Sequence, residues 1–230
     1  PINLMNIYKN PFDENFNYIC FHADTMLSIP PDNLVGKVFL GVLPSFHGFG
    51  LCICMLLPLV NRCGVALVPK FSSKAVVQIL DKFKISVING VPTMFESLLK
   101  DEKFRTHKNL KYIDVCYCGG DSLTPETTKD FNQVIKNMGG TARVFEGYGL
   151  TEAVAVNCMT NFYDDRAGSI GRAIPEAQIE IRDEEGNIVP RGTIGEITIK
   201  SDAIMVDNYD GYLFSTMIED EIEKNILKYK

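Results

Sequence analysis

Short apolar runs alternate with amphipathic ones between about Val38 and Tyr148. "KVFLGVLP", "GVALVP", "ISVINGV", "YIDVCYC" and "ARVFEGY" are each too short for a helix and almost continuously apolar, the pattern of strands buried on both faces. The segments between them repeat at helical spacing. An apolar helix spans roughly Gly50 to Val60. "SSKAVVQILDKF" opens on a serine N-cap and sets Val76, Ile79, Leu80 and Phe83 on one stripe. Pro92 starts a short helix at its first position, where a missing N–H costs nothing, and Met94, Phe95, Leu98 and Leu99 face inward. Thr124 caps another, with Pro125 and Glu126 in its first turn. Phe131, Val134, Ile135 and Met138 form its core stripe, and Gly139 and Gly140 end it. Upstream, Phe16, Ile19, Cys20, Ala23, Met26 and Leu27 predict one more helix, stopped before Pro30 and Pro31.

Strand–helix alternation predicts an α/β fold with a mostly parallel sheet flanked by helices, whose ligands gather at the carboxyl ends of the strands. After about Asp164 the period changes. "QIEIRD" and "GEITIKS" alternate Ile179, Ile181, Ile197 and Ile199 with polar residues around a Gly186–Asn187 turn, which predicts a small, half-exposed antiparallel segment. The expected division is therefore 1–168 for the α/β part, 169–212 for a β-rich part, and 213–230 for a charged, possible helical tail.

Composition narrows the function classes. The chain of 230 residues is 46% hydrophobic and 23% charged, with a formal charge of −6. That balance argues against a nucleic-acid partner, which asks for a basic stripe. It leaves room for a nucleotide held in a local cradle. Seven cysteines without C-x-x-C spacing read as buried thiols in a reducing cytoplasm. The longest apolar run, "LCICMLLPLV", is about half of a bilayer span, so no transmembrane segment is expected. The chain opens on Pro1 without a Met or targeting pattern, and the expectation is a central fragment of a longer protein.

Three glycine-bearing segments each follow a predicted strand: "LPSFHGFG", "CGGDSL" and "EGYGLTEA". Glycines at such ends let backbone approach a flat ligand, and exposed N–H groups cradle phosphate oxygens. Thr151 offers a hydroxyl to a phosphate. The Glu152 carboxylate suits magnesium held with phosphates. Each residue alone also has a plain structural reading: His47 between Phe46 and Phe49 as part of a core, Glu152 as favourable at a helix N-terminus, Tyr148 as a strand residue with its hydroxyl in water. A nicotinamide-type oxidoreductase would need G-x-G-x-x-G after the first strand, which is not evident.

Taken together, the segments resemble the adenylate-forming enzyme superfamily, the AMP-dependent synthetases and ligases, and most closely the fatty acyl-CoA synthetases. "GYGLTEA" is similar to their Y-G-x-T-E signature, "FHGFG" to F-H-x-x-G and "CGGDSL" to the adenine-flanking G-G-x-x-L. "GSIGRAIP" and "GEITIKS" follow in family order. The resemblance implies part of the N-terminal, AMP-binding domain and a reaction in two steps. ATP and a carboxylic acid form an acyl-adenylate and pyrophosphate, then coenzyme A takes the acyl group. It further implies Gly119, Gly120 and Asp121 along the adenine and Tyr148 stacked on the base, with Gly147 and Gly149 beside it. Thr151 would bind the α-phosphate, Glu152 would ligate Mg2+, and His47 would stand near the acyl carboxylate. "INGVPTMFESLL" and the apolar helix after His47 resemble the fatty acid-activating branch.

Two departures set the expectations for activity. The family's Ser/Thr/Gly-rich phosphate loop and the lysine of its C-terminal domain do not occur in these residues. Where "DGYLFSTM" is laid on D-G-W-x-x-T-G-D, Met217 replaces the ribose-binding aspartate, and a thioether cannot accept the diol's hydrogen bonds as a carboxylate does. The 230-residue chain is therefore expected not to adenylate by itself. It is either part of an active ligase, for a fatty acid or another carboxylic acid, or a catalytically silent adenylate-binding or interaction module.

Overall fold

In a computed structural model of the protein, the described residues are 35–153, 156–160, 166, 168–175, 177–201 and 203–204, with the backbone of 212–214. The predicted helix through Phe16 and Leu27, the tail from Met217 and Met217 itself lie outside them.

Strands β1 (Val38–Gly41), β2 (Gly64–Leu67), β3 (Val87–Gly90), β4 (Val115–Gly119) and β5 (Val144–Tyr148) form a parallel sheet in the order β2-β1-β3-β4-β5. Two-residue strands β6 (Cys158–Met159) and β7 (Arg172–Ala173) extend it antiparallel beyond β5. The chain then leaves this sheet for a three-stranded antiparallel one, β8 (Gln178–Arg182), β9 (Glu196–Lys200) and β10 (Tyr212–Phe214), in the order β10-β9-β8. The α/β class and the small antiparallel segment follow the apolar pattern.

Alternation along the strands divides the core. Leu40, Ile88, Cys116, Cys118 and Val144 point to one face, under α2 (Ser73–Lys82), α3 (Pro92–Leu99), α4 (Glu102–Arg105) and α5 (Pro125–Asn137). Phe131 of α5 meets Phe95 edge-on at 5.0 Å and Phe104 at 5.6 Å there. Phe39, Val87, Val115, Tyr117 and Phe145 point to the other face, under a helix that begins at Phe49. That helix is a π-helix over Phe49–Leu56 and continues as α1 (Leu57–Val60).

The caps behave as their chemistry requires. Ser72 and Thr124 each accept an N–H from three residues ahead, at 3.1 and 3.2 Å. One stripe residue differs from expectation: α2 stops at Lys82, Phe83 is extended, and its ring is 47% exposed. Leu99 and Met138 are half-buried at the margin of the core.

Candidate functional site

The carboxyl ends of β4 and β5 open into a cavity of about 250 Å³. The long connection after β1 crosses to it and contributes His47 and Phe49. β4 contributes Tyr117, Cys118 and Gly119, followed by Gly120. Gly147 of β5 lies opposite Gly119 in parallel register, and Gly149, Leu150, Thr151 and Glu152 follow it. Val156 and Met159 complete an apolar wall. Seven of the residues singled out from sequence therefore line one space: His47, Gly119, Gly120, Gly147, Gly149, Thr151 and Glu152.

Local structure accounts for each placement. His47 Nδ1 accepts the Phe49 N–H at 3.1 Å, so the neutral ring carries its proton on Nε2. Phe49 is buried whereas Phe46 is 91% exposed. Gly120 turns the chain away from β4 at φ +82°, a left-handed conformation that a residue with a Cβ rarely adopts. Thr151 and Glu152 sit on a single 3-10 turn, Thr151–Ala153. Ala153 is fully buried and anchors that turn in a third cluster with Ile197, Ile199 and Ile204. Asn157 secures it from beneath: its side-chain N–H donates to the Ala153 carbonyl at 3.2 Å, and its backbone N–H donates to the Tyr148 carbonyl at 2.8 Å. The exposed Thr151 and half-buried Glu152 thus project from a fixed base.

Two candidates stand apart. The half-buried Tyr148 packs against the third cluster and is not among the cavity-lining residues. Asp121 is exposed beyond Gly120, and its Oδ1 accepts the Ser122 N–H at 2.7 Å. Conversely, sequence reasoning passed over Asn157, Tyr117, Val156 and Met159. Asn157 had one weak signal, a polar residue within the apolar run "VNCM".

The electrostatics disfavour a cysteine nucleophile. Burial pushes the Cys118 thiol up, and the carboxylates of Glu146 and Asp121 raise it further, so it stays protonated. Among the described residues, Cys54, Cys116, Cys118 and Cys158 are buried free thiols. No cluster of three or more His, Cys, Asp or Glu side chains among the described residues forms a self-sufficient metal cage. A single carboxylate, Glu152, next to the Thr151 hydroxyl suits an ion shared with phosphates. Among the described residues, no helix is long and apolar enough to cross a membrane.

The sequence model of the family described as AMP-binding enzyme matches residues 15–209. A long-chain-fatty-acid–CoA ligase of Bacillus subtilis (strain 168) is 33% identical over 169 residues, which are 72% of this chain and 29% of that ligase. The chain spans less than a third of the length of the curated relatives it matches. Among solved structures, a benzoate CoA ligase from Burkholderia xenovorans LB400 superposes with a TM-score of 0.73 at 23% identity, over 87% of this chain and 41% of that one. ATP-bound MatB from Rhodopseudomonas palustris gives 0.72 at 23% identity, over 86% and 40%. At that identity the two structures speak for the fold alone.

Proposed function

The chain belongs to the AMP-binding enzyme family, and we propose that its cavity is the adenylate site of an ATP-dependent carboxylate–CoA ligase. The carboxylic acid is a fatty acid, in line with the B. subtilis relative's name. The observation that carries this reading is the convergence of the loop after β1, the glycine ends of β4 and β5, and the Thr151–Glu152 turn on one cavity.

Each group has a task in that reaction. Gly119, Gly120 and Gly147 keep the rim free of side chains, so the adenine ring lies against backbone. Thr151 donates its hydroxyl to the α-phosphate. His47, with its proton on Nε2, donates toward the acyl carboxylate and aligns it for in-line attack on that phosphate. Glu152 holds magnesium, whose charge neutralises phosphate oxygens when it is bound. The site binds and orients; it offers no nucleophile of its own. Pyrophosphate leaves in the first step, and the thiol of coenzyme A displaces AMP in the second. The 230 residues alone do not complete the first step, so pyrophosphate exchange with the purified chain is expected to be absent.

The free thiols are consistent with work in the cytoplasm. Calorimetric titration with ATP tests the site. Magnesium is expected to tighten ATP binding by the chain and to have little effect on Glu152→Gln. Equal magnesium dependence in both proteins would remove Glu152 from the metal.

A further inference from the structure

At the amino end of the parallel sheet, opposite the cavity, two segments meet. α2 ends at Lys82, and Phe83 and Lys84 lead on toward β3. A 3-10 turn, Lys108–Tyr112, leads into β4. Two contacts hold the segments together. The Asn109 side-chain N–H donates to the Leu80 carbonyl at 2.7 Å, and His107 Nε2 donates to Asp81 Oδ1 at 3.2 Å. Lys82, Phe83, Lys84, Lys108 and Lys111 are all exposed.

The charges on this end are crowded and unmatched. Lys84 Nζ and Lys111 Nζ stand over the ring of Tyr112, at 4.7 and 5.2 Å from its centroid, so they lie no more than about 10 Å apart. That is within one screening length at physiological salt, and they repel. Among the described residues, Lys82, Lys84, Lys108 and Lys111 enter no ion pair, whereas the acids beside them are engaged, Asp81 by His107 and Asp114 by Lys37. Between two of these lysines in sequence sits Phe83, its ring 47% exposed. An exposed phenylalanine or an exposed lysine is ordinary by itself. Together they have the chemistry of an interfacial anchor: a ring that gains by leaving water, and long side chains whose stems follow it while their ammonium heads meet phosphates.

We propose that this end of the molecule docks on an anionic lipid membrane, with Phe83 entering the acyl boundary and Lys82, Lys84, Lys108 and Lys111 meeting the lipid phosphates. The phosphates supply the anions that the lysines lack. The phenylalanine decides between phosphate-bearing partners, because it has no group to read a base edge and gains most from entering hydrocarbon. The cavity lies at the other end of the strands, so docking leaves it uncovered. Near an anionic surface each lysine strengthens binding by roughly fivefold.

The test is co-sedimentation of the chain with vesicles of phosphatidylcholine alone and of an equal mixture with phosphatidylglycerol. The chain is expected to bind the mixture, to ignore phosphatidylcholine and to be released by high salt. Lys84→Gln and Lys111→Gln together are expected to weaken binding by about twenty- to thirtyfold. The chain contains no tryptophan, so Phe83→Trp installs a single reporter at an exposed position. Its emission is expected to shift to the blue on the mixed vesicles and to be quenched by lipids brominated on their acyl chains. Absence of binding to the mixture, or equal binding by the double lysine variant, would overturn the proposal. An unshifted, unquenched emission from vesicle-bound Phe83→Trp would overturn it too, since the chain would then be docked through another face. Displacement of the vesicles by an RNA oligonucleotide that binds more tightly would reassign the patch to nucleic acid and likewise overturn it.

Discussion

Gly119 and Gly147 face each other across β4 and β5, yet a methyl group should have opposite effects at the two positions. At Gly119 a Cβ would stand 2.9 Å from the Gly147 carbonyl oxygen and 3.3 Å from Cε1 of Phe49. The first contact is backbone held in a ladder, and the second is a buried ring, so neither yields cheaply. At Gly147 the nearest atom is the Cys158 carbonyl oxygen at 3.8 Å, an ordinary contact. Neither glycine has a positive φ, so the difference is steric. Overpacking costs about 1–3 kcal/mol, and replacing a strand glycine by alanine returns about 0.5–1 kcal/mol. Gly119→Ala should therefore destabilise by up to about 2.5 kcal/mol, with a midpoint of about 1 kcal/mol. Gly147→Ala should range from neutral to about 1 kcal/mol more stable. For a chain of this size each kcal/mol moves Tm by about 2–4 °C. Scanning calorimetry should show Gly119→Ala melting lower than the unmodified chain, and Gly147→Ala melting at or above it. In the adenylate reading Gly147→Ala nonetheless binds an acyl-adenylate analogue more weakly, because its methyl occupies ligand space. Equal melting temperatures for the two variants would refute the close approach at Gly119.

Three further outcomes are expected. Phe131→Ala removes a fully buried ring that touches Phe95 and Phe104, and should cost about 3–5 kcal/mol in urea unfolding; a loss under about 1 kcal/mol would mean that α5 does not seal that face. Asn157→Ala should loosen the Thr151–Glu152 turn, with faster amide hydrogen exchange at Ala153 and unchanged exchange in α5; protection equal to that of the unmodified chain would dismiss Asn157 as its support. Burial raises the thiol pKa values of Cys54 and Cys158 from 9.0 to about 12, and raises those of Cys116 and Cys118 as well. Above pH 9 the unfolded chain releases protons that the folded chain keeps. Stability is therefore complete below that pH and falls progressively toward 12, by about 1.4 kcal/mol per pH unit for each thiol. Urea midpoints measured in reductant across that range should drop steeply; a flat profile would contradict the burial of these thiols.

Much of the sheet was legible because parallel strands covered on both faces are apolar almost throughout, as in β3 and β4. The stripe of α5 was legible for the complementary reason, one wet face. The π-helix was not: "FGLCICML" is apolar all round, so its pattern carries no period to distinguish one helical type from another. Phe83 was misplaced because hydrophobic spacing continues for one residue after the helix has stopped at Lys82. Strands β6 and β7 are two residues long, too short for any alternation; β6 pairs on the edge that β5 offers, and β7 on the edge of β6. At the site, the glycines and the Thr–Glu pair announced themselves by residue type and order. Tyr117 and Asn157 did not, since an aromatic and an amide in apolar runs give no sign of lining or supporting a site until their neighbours are placed around them.

The central claim is that Thr151 and Glu152 form the phosphate end of an adenylate site. Calorimetric titration of the chain with a fatty acyl-adenylate analogue in magnesium, beside the Thr151→Ala, Glu152→Ala double variant, tests it most directly. The account expects saturable binding by the chain and a loss of at least about tenfold in the variant, the scale of one or two charge-assisted contacts. Equal affinity in both proteins would place the ligand elsewhere and contradict it.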